Sequence, residues 1–352
     1  MSDSSHGGHG RPPTAAERWA AFRASPFLPA SVLVLILAVA AGLFAGSYTY
    51  AMANPTPHSI PTAVVGAYDQ DRTKRFAAGM EKALSASLRT RPYSSLEAAE
   101  QAVDDQQVFA VLDVPRTGSG LTLYVSGASG ASVAQVLVQS AVQVGKATGV
   151  PVAIHDLKPL QKGDPRGLAM FYITLAATVL GFVGAIQLNV HAKALRPGER
   201  IAFTVAYSLL GGFVIAAMVD WVLGALHLPF LESWTILALT MFASGMVFSM
   251  FDTLMGRWAM LPTWGLMVLL GNPSSGGAVS WALLPSLLGQ IGRWLPPGAS
   301  VNAQHTAVYF PGHQHAWPFV ILIGWAVLSC AVFWFMRDRR LDGREGRPAH
   351  AA

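Results

Sequence analysis

Residues 31–50 of the chain, SVLVLILAVAAGLFAGSYTY, decide the fold class, because they carry no charge and are mostly apolar. The complete apolar stretch, residues 29–50, is long enough to cross a hydrocarbon core of about 30 Å as one α-helix. Three arginines precede it: Arg11, Arg18 and Arg23. Because positive side chains stay on the cytoplasmic side, we expect residues 1–28 to form a cytoplasmic tail, partly disordered, and residues 29–50 to form the first transmembrane helix.

A cleaved signal peptide is the alternative interpretation of this first helix. Ala51-Met52-Ala53 resembles a signal-peptidase site, and basic residues precede the apolar run. The run is longer than the roughly 7 to 15 residues of an ordinary signal peptide. We therefore favour a retained span.

The composition of the whole chain also indicates a membrane protein. Of its 352 residues, 52% are hydrophobic and 12% are charged, whereas a soluble domain carries about 25% charged residues. The net charge is +5, and it is explained below by topology, so we expect no nucleic-acid partner. The one cysteine, Cys330, lies in an apolar run and is interpreted as a packing residue, which leaves no intramolecular disulfide.

Residues 54–166 have the pattern of a small α/β domain. They contain no long apolar run, and short β-branched segments alternate with amphipathic helical segments. Strands are predicted at 62–67, 108–114, 121–125 and 150–155, and helices at 73–88, from residue 94 onward and at 132–144.

Five further apolar runs follow in residues 168–336, which together with the first helix predict a bundle of six transmembrane helices. The runs are 168–188, 201–226, 234–254, 258–270 and 317–336. The fourth of these is short and contains Pro262, so we expect it to borrow residues on either side.

The distribution of positive charge predicts the topology. Basic side chains follow the second, fourth and sixth spans, whereas the loop 272–316 carries a single cation, Arg293. The positive-inside rule therefore places both termini in the cytoplasm, residues 337–352 as a basic cytoplasmic tail, and the domain 54–166 outside.

The sequence shows no catalytic, cofactor or metal signature. It contains no phosphate-binding G-x-x-x-x-G-K-[ST] loop, no G-x-S-x-G and no H-E-x-x-H. His305, His313 and His315 cluster in an outer loop with no acid nearby in sequence, and we interpret them as solvated or interfacial. We therefore predict a protein that is not an enzyme and has no cofactor or metal.

Acidic residues inside predicted spans are the remaining candidates for function, because such residues are costly in lipid. Asp220 lies in the third span, and it is interpreted either as an acid near the outer headgroups or as part of a polar translocation surface. Asp252 lies near the inner end of the fourth span and is expected to be paired.

The segment 271–310 contains the most specific pattern in the chain. Apolar residues at three- and four-residue spacing, with Trp281 and Trp294 at the ends, predict an outer interfacial helix at 281–294. A packed cap over the bundle is the alternative. Breaking residues flank this helix on both sides: Gly271, Asn272, Pro273 and Gly276 before it, and Pro296, Pro297 and Gly298 after it.

These flanking motifs, with Tyr309-Phe310 beyond them, resemble the YhgE/Pip group of the ABC type-2 permease superfamily. The plan of one span, a large outer domain and five more spans is similar as well. The short outer domain departs from the group, and the resemblance carries over no ligand residue.

The resemblance implies a permease-like subunit of an exporter in the bacterial plasma membrane, which moves a hydrophobic or envelope-related substrate. It also implies a separate ATPase, because this chain has no ATPase signature, and a homodimer. We expect the ATPase to dock on the basic loop 191–200 and on an amphipathic helix at 15–25. The alternative is an envelope receptor or scaffold whose outer domain binds a partner.

Overall fold

The computed structural model describes residues 14–53, 57–117 and 120–345, with only the backbone of residues 338–345. Two compact units meet between Ser47 and Tyr48. Most of the predicted disordered tail and Arg347 lie outside the described residues.

The first unit consists of helix α1, Ala15–Ala24, and most of helix α2, Phe27–Met52. A capping box begins α1, because the Thr14 hydroxyl accepts from the Glu17 N–H while the Glu17 carboxylate accepts from the Thr14 N–H. The predicted helix at 15–25 is thus present, but its apolar side chains do not segregate to one face, so the expectation of an amphipathic helix is wrong. Helix α2 covers the predicted first span.

The second unit contains a five-stranded mixed sheet within the predicted α/β domain. Strand order is β2-β1-β3-β4-β5, and every neighbouring pair is parallel except β3 with β4. The strands are β1 Ser59–Gly66, β2 Ser87–Tyr93, β3 Ala110–Val114, β4 Leu121–Val125 and β5 Val152–Asp156. The connecting helices are α3 Asp71–Leu84, α4 Leu96–Asp104 and α5 Ala131–Thr148.

Side chains that alternate along β1 build two cores on opposite faces of the sheet. Ile60 and Val64 join the larger core, which holds residues of α3 and α5. Ala63 and Val65 join the smaller core, which holds residues of α4. The sheet is therefore covered by helices on both faces.

Strand β2 was not predicted, and the predicted helix 73–88 is too long. Ser85 adopts a left-handed conformation (φ 52°), and its N–H bonds to the carbonyls of Glu81 and Lys82, which ends α3 at Leu84. Leu88, which continues the four-residue spacing, instead lies in β2. Exposed and half-buried residues alternate along most of this edge strand, and Pro92 is tolerated in it. The strand therefore has no run of buried apolar residues that would have predicted it.

Five helices in the described part of the chain are long and apolar enough to cross a membrane. They are α2, α6 Ala169–His191, α7 Pro197–Ala217 with its π-helical extension Met218–Val222, α8 Phe230–Met255 with the turn to Trp258, and the apolar part of α12 Ala316–Glu345. The predicted fourth run forms a shorter apolar helix, Met260–Gly271, made of α9 Met260–Trp264 and a π-helical stretch. At about 1.5 Å per residue it is shorter than a hydrocarbon core of about 30 Å.

Helix α8 is the centre of this bundle, with 72% of its apolar window buried. Helices α6 and α7 run in opposite directions, as shown by the Arg200 guanidinium in the first turn of α7, which donates to Asn189 near the end of α6 (2.8 Å). Gly198 also lies against Trp334 of α12. The ends of α6 and α12 and the start of α7 therefore meet at the end of the bundle remote from the sheet.

The segment after Gly271 differs from the predicted interfacial helix at 281–294. Residues 281–285 form turns, and the helix begins only after Pro285, as α10 Ser286–Ile291 and a 3-10 turn Gly292–Trp294. Leu283 and Leu284 are fully buried in the larger core of the sheet domain. This half of the segment packs into the sheet domain, so it is neither the predicted interfacial helix nor the alternative cap over the bundle.

A helix that was not predicted, α11 Pro296–Tyr309, follows directly. Pro296 occupies its first turn, where no intrahelical N–H bond is needed, so Pro296-Pro297-Gly298 begins a helix as well as ending one. Most residues of α11 are buried, among them Ala299, Ala303 and Ala307.

Candidate functional site

A chamber of about 1480 Å³ lies where the sheet domain meets the segment 275–315 and the start of α6. Ligand pockets are typically about 300–1,000 Å³, so the chamber has room for a large ligand. Its walls come from separate parts of the fold, which explains why no single sequence motif marks it.

Helix α5 supplies one polar wall of the chamber. Ser132, Gln135 and Gln139 recur at three- and four-residue spacing and line the chamber. Val133 and Leu137, on another side of the same helix, lie in the core of the sheet domain. The amphipathic pattern that predicted this helix therefore also fixes which polar residues reach the chamber.

Hydrogen bonds fasten the sheet domain to the opposite wall. The Ser132 and Ser280 hydroxyls lie 3.2 Å apart, and the Ser280 N–H donates to Ser132 Oγ (3.1 Å). Gln106 bonds to Thr306 of α11 through their side chains (3.0 Å). These contacts hold the chamber in the form described here.

Two further contacts join the sheet domain to the segment 275–315 and to His227, which follows α7. His313 lies 2.8 Å from the carboxylate of Asp105, an acid far from it in the sequence that only the fold brings close. Gln161 bonds in both directions with the backbone of His227 (2.7 and 3.2 Å). In the part of the chain that the structure describes, no group of three or more metal-ligating side chains forms.

His305 projects from α11 to the chamber wall and has an altered acidity. Burial lowers the pKa of His305 to about 4, although a hydrogen bond to the Ala128 carbonyl partly offsets this by favouring the protonated ring. The ring also packs near Tyr309 (5.5 Å between centroids) and Phe310 (5.8 Å). His305 is therefore neutral at physiological pH.

The start of α6 forms the floor of the chamber, and a buried carboxylate holds it in place. Asp164 Oδ1 accepts from the Leu168 N–H (3.0 Å) and Oδ2 from the Ala169 N–H (2.9 Å). These N–H groups have no partner within the helix, so Asp164 caps the first membrane helix after the domain. Leu168 and Met170 then line the chamber.

The two halves of the predicted outer-loop motif pack directly on each other. A Cβ at Gly271 would lie 2.9 Å from Pro297 Cγ, and a Cβ at Gly298 would lie 2.0 Å from the Gly292 carbonyl oxygen. A Cβ at Gly292 would in turn lie 1.7 Å from the Ser274 carbonyl oxygen. Gly292 and Gly298 are therefore required for backbone-to-backbone contact, and Gly271 leaves room for the Pro297 ring.

Asn272 and Pro273 of the motif are buried, and Asn272 connects the motif to the end of α2. Its amide Nδ2 donates to the Tyr48 hydroxyl (2.7 Å). Gly276 has a positive φ of 84° and lines the chamber beside Trp281. The motif is thus the structural support of the chamber wall, and only Gly276 of its seven residues reaches the chamber itself.

Asp220 lies away from the chamber, in the π-helical turn Met218–Val222 at the end of α7. Its carboxylate is 3.8 Å from the exposed His227 ring. The structure therefore does not bring Asp220 together with the motif, and its role in translocation remains a prediction. Asp252 interacts electrostatically with buried Arg200 at the other end of the bundle.

A polar layer inside the bundle was not predicted. The Thr240 hydroxyl of α8 donates to Ser300 Oγ of α11 (2.7 Å), and Thr174 of α6 lies 3.4 Å from the same oxygen. Gln304 Nε2 donates to the Ser233 carbonyl (2.7 Å). Small hydroxyl residues inside apolar runs were the available signal, but the sequence does not show which of them meet.

Comparison with known proteins adds no family to this description. The chain matches no family model, and it matches no curated protein significantly.

Proposed function

We propose that the chain is a permease-like subunit of an export system, similar in plan to the YhgE/Pip group of the ABC type-2 permease superfamily. It would lie in the plasma membrane of a bacterium, with the sheet domain outside and both termini in the cytoplasm. The chamber is the observation that carries this proposal. The sheet domain, the motif segment and the first helix after the domain build it together, whereas a receptor needs only an anchor for its outer domain.

The topology proposed for this function has six crossings, in which Met260–Gly271 is a short fifth span. Alternating helix directions support it: α6 leaves the chamber, α7 returns, and the segment 271–276 reaches the chamber wall directly after the short helix. The basic residues Lys193, Arg196 and Arg257 then lie at the remote end, as the positive-inside rule requires of a cytoplasmic face. A separate ATPase would dock there.

A homodimer is part of the same proposal. Helix α2 carries Gly42 and Gly46 four residues apart, and a Cβ at either position would meet nothing within 4 Å. Small residues at this spacing allow two membrane helices to approach closely. Replacing both glycines with leucine should reduce the cross-linked dimer of the full chain in membranes, and an unchanged dimer yield would exclude this surface.

Locking the chamber tests the export function. Ser132→Cys with Ser280→Cys, in a Cys330→Ala background, places two thiols at positions whose hydroxyl oxygens lie 3.2 Å apart, and an oxidant is used to join them as a disulfide. The substrate is first found by comparing secreted and membrane-bound lipids and metabolites of cells with and without the gene. We expect the oxidised lock to abolish export of that compound and a reductant to restore it.

The single-cysteine variants are the controls for this lock. Full export by the oxidised double variant would refute the idea that export needs the Ser132 and Ser280 sides of the chamber to separate. Unchanged export in the deletion strain, together with purification free of any ATPase, would favour the receptor. Asp220→Asn provides a separate test: normal export by this variant would eliminate Asp220 from the translocation surface.

A further inference from the structure

The chamber has a charge imbalance that points to the class of its ligand. Among the described residues that line it, Arg89, Arg166 and Arg293 are cationic and Asp156 is the single acid. The lining therefore carries an excess of positive charge, even with all its histidines neutral.

The three arginines are free to meet a ligand. None of them has an ion-pair partner within the described ranges, whereas the nearby Lys158 is paired with Asp104 at 2.8 Å. Arg89 lies in the edge strand β2, Arg166 directly precedes Gly167, and Arg293 lies in the 3-10 turn after α10. Three separate elements thus bring arginines without an ion-pair partner among the described residues to the lining of one chamber.

The one acid of the lining is already engaged. Asp156 Oδ1 accepts from the backbone N–H groups of Gly127 (3.0 Å) and Lys158 (3.1 Å). Among the described residues, Asp156 forms no ion pair with an arginine of the lining, so its carboxylate is held by backbone donors instead. Arg293 instead lies 4.9 Å from the centroid of the Trp281 ring, a contact that orients the cation without cancelling its charge.

Apolar residues complete the lining close to the membrane helices. Leu168, just before α6, and the aromatic residues Phe109 and Trp281 are half-buried and present apolar surface to the chamber, whereas Met170 and Val301 of the lining are buried. A hydrophilic anion alone would leave this surface uncovered. A ligand with one anionic end and one apolar part matches both kinds of wall.

We infer that the chamber binds an anionic amphiphile, a molecule whose phosphate or carboxylate group is attracted to the arginines of the lining, Arg89, Arg166 and Arg293, while its apolar part covers the half-buried side chains of Leu168, Phe109 and Trp281. The inference deepens the proposed function by naming the substrate class of the same chamber. Its source is either the membrane, as a phospholipid, or the aqueous phase, as a soluble amphiphile.

Equilibrium binding to the purified full chain in a neutral maltoside detergent tests this. The probes are dodecyl phosphate, dodecylphosphocholine with the same alkyl chain, and inorganic phosphate. We expect dodecyl phosphate to bind at least about tenfold more tightly than either other probe, because charge-assisted bonds to guanidinium add to apolar burial. Raising the salt concentration should weaken this binding.

Substitution of the arginines identifies the site. Arg293→Gln should weaken dodecyl phosphate binding about fivefold, and the triple variant with Arg89→Gln and Arg166→Gln at least about 20-fold, since each removes a charged contact. Arg257→Gln is the matched control, because Arg257 also lies over a tryptophan ring, Trp258 (5.4 Å), but does not line the chamber. Thermal unfolding of each variant shows whether it is folded.

The outcomes separate the ligand from the export function. Equal binding of the phosphate and phosphocholine probes, or a folded triple variant that binds like the wild type, would overturn the inference while leaving the lock experiment valid. If inorganic phosphate binds as tightly as dodecyl phosphate, the apolar part of the ligand adds nothing and the inference that the ligand is an amphiphile is wrong. If phosphatidylglycerol nanodiscs fill the site with their lipid and phosphatidylcholine nanodiscs do not, the ligand comes from the membrane. If added dodecyl phosphate binds in both kinds of nanodisc, the ligand comes from the aqueous phase.

Discussion

Replacing Gly298 with alanine tests whether the motif acts through backbone contact. Gly298 lies in the first turn of α11, where alanine would ordinarily stabilise the helix by about 0.5–1 kcal/mol. In this structure the added Cβ would lie 2.0 Å from the Gly292 carbonyl oxygen and 2.8 Å from its carbon. Both are backbone atoms, so no side-chain rotation relieves the overlap.

The expected cost follows from that geometry. Overpacking of a well-packed interior costs about 1–3 kcal/mol and occasionally more, and we place Gly298→Ala at about 3 kcal/mol because α11 or the 3-10 turn must shift as a whole. The midpoint of thermal unfolding of the detergent-purified chain should therefore fall by several degrees. Tryptophan fluorescence is the readout.

Gly324→Ala is the matched control for this prediction. Gly324 also lies in a helix, α12, but a Cβ there would meet nothing within 4 Å. We expect this variant to unfold at or slightly above the wild-type temperature. If Gly298→Ala behaves like Gly324→Ala, the close approach of Gly298 to the Gly292 carbonyl is wrong.

Three further predictions concern single contacts. Tyr48→Phe should destabilise the chain by about 1–3 kcal/mol because it removes the partner of a buried amide, whereas Tyr50→Phe, an exposed position, should have no effect in the same unfolding assay. Ser300→Ala should lower the free energy of unfolding by about 1 kcal/mol, because it removes the hydrogen bond from Thr240. The control is Ser329→Ala, because the buried Ser329 hydroxyl has no bond to any described residue. Equal effects of the two variants would contradict the polar layer. Because burial lowers the pKa of His305 from 6.5 to about 4, the unfolded chain binds a proton at this side chain more readily than the folded chain. The stability contributed by His305 should therefore be complete above pH 6.5 and fall as the pH drops toward 4, and stability should fall less steeply in His305→Gln. Parallel pH profiles of the two proteins would refute this role of His305.

The membrane character of the chain could be read from its sequence with little ambiguity. A long uncharged run such as residues 31–50 has few alternatives in water or lipid, because every backbone group must bond internally in a hydrocarbon core. The α/β domain was also predictable, since its buried strands β3 and β4 are apolar runs bounded by turn residues. Edge strand β2 escaped because an edge does not need an apolar face.

The segment after Gly271 shows where local patterns are insufficient. Apolar spacing at 281–294 predicts a helix at a membrane surface, but the same spacing serves a segment whose Leu283 and Leu284 enter the core of another domain. Pro285 interrupts the helix, and Pro296 starts α11. Which surface an apolar residue covers depends on what is near it in three dimensions, and spacing alone does not contain that information.

The sequence by itself determined that the chain crosses a membrane, that a small α/β domain interrupts the spans, and that glycines and prolines at 271–298 have special conformations. These properties depend on local composition and on backbone sterics. Tertiary structure alone decided that Gly271 meets Pro297, that Gly292 meets Ser274, and that Arg89, Arg166 and Arg293 line one chamber. Such residues lie far apart along the chain, and only the folding of the sheet domain onto the bundle brings their charges and backbones together.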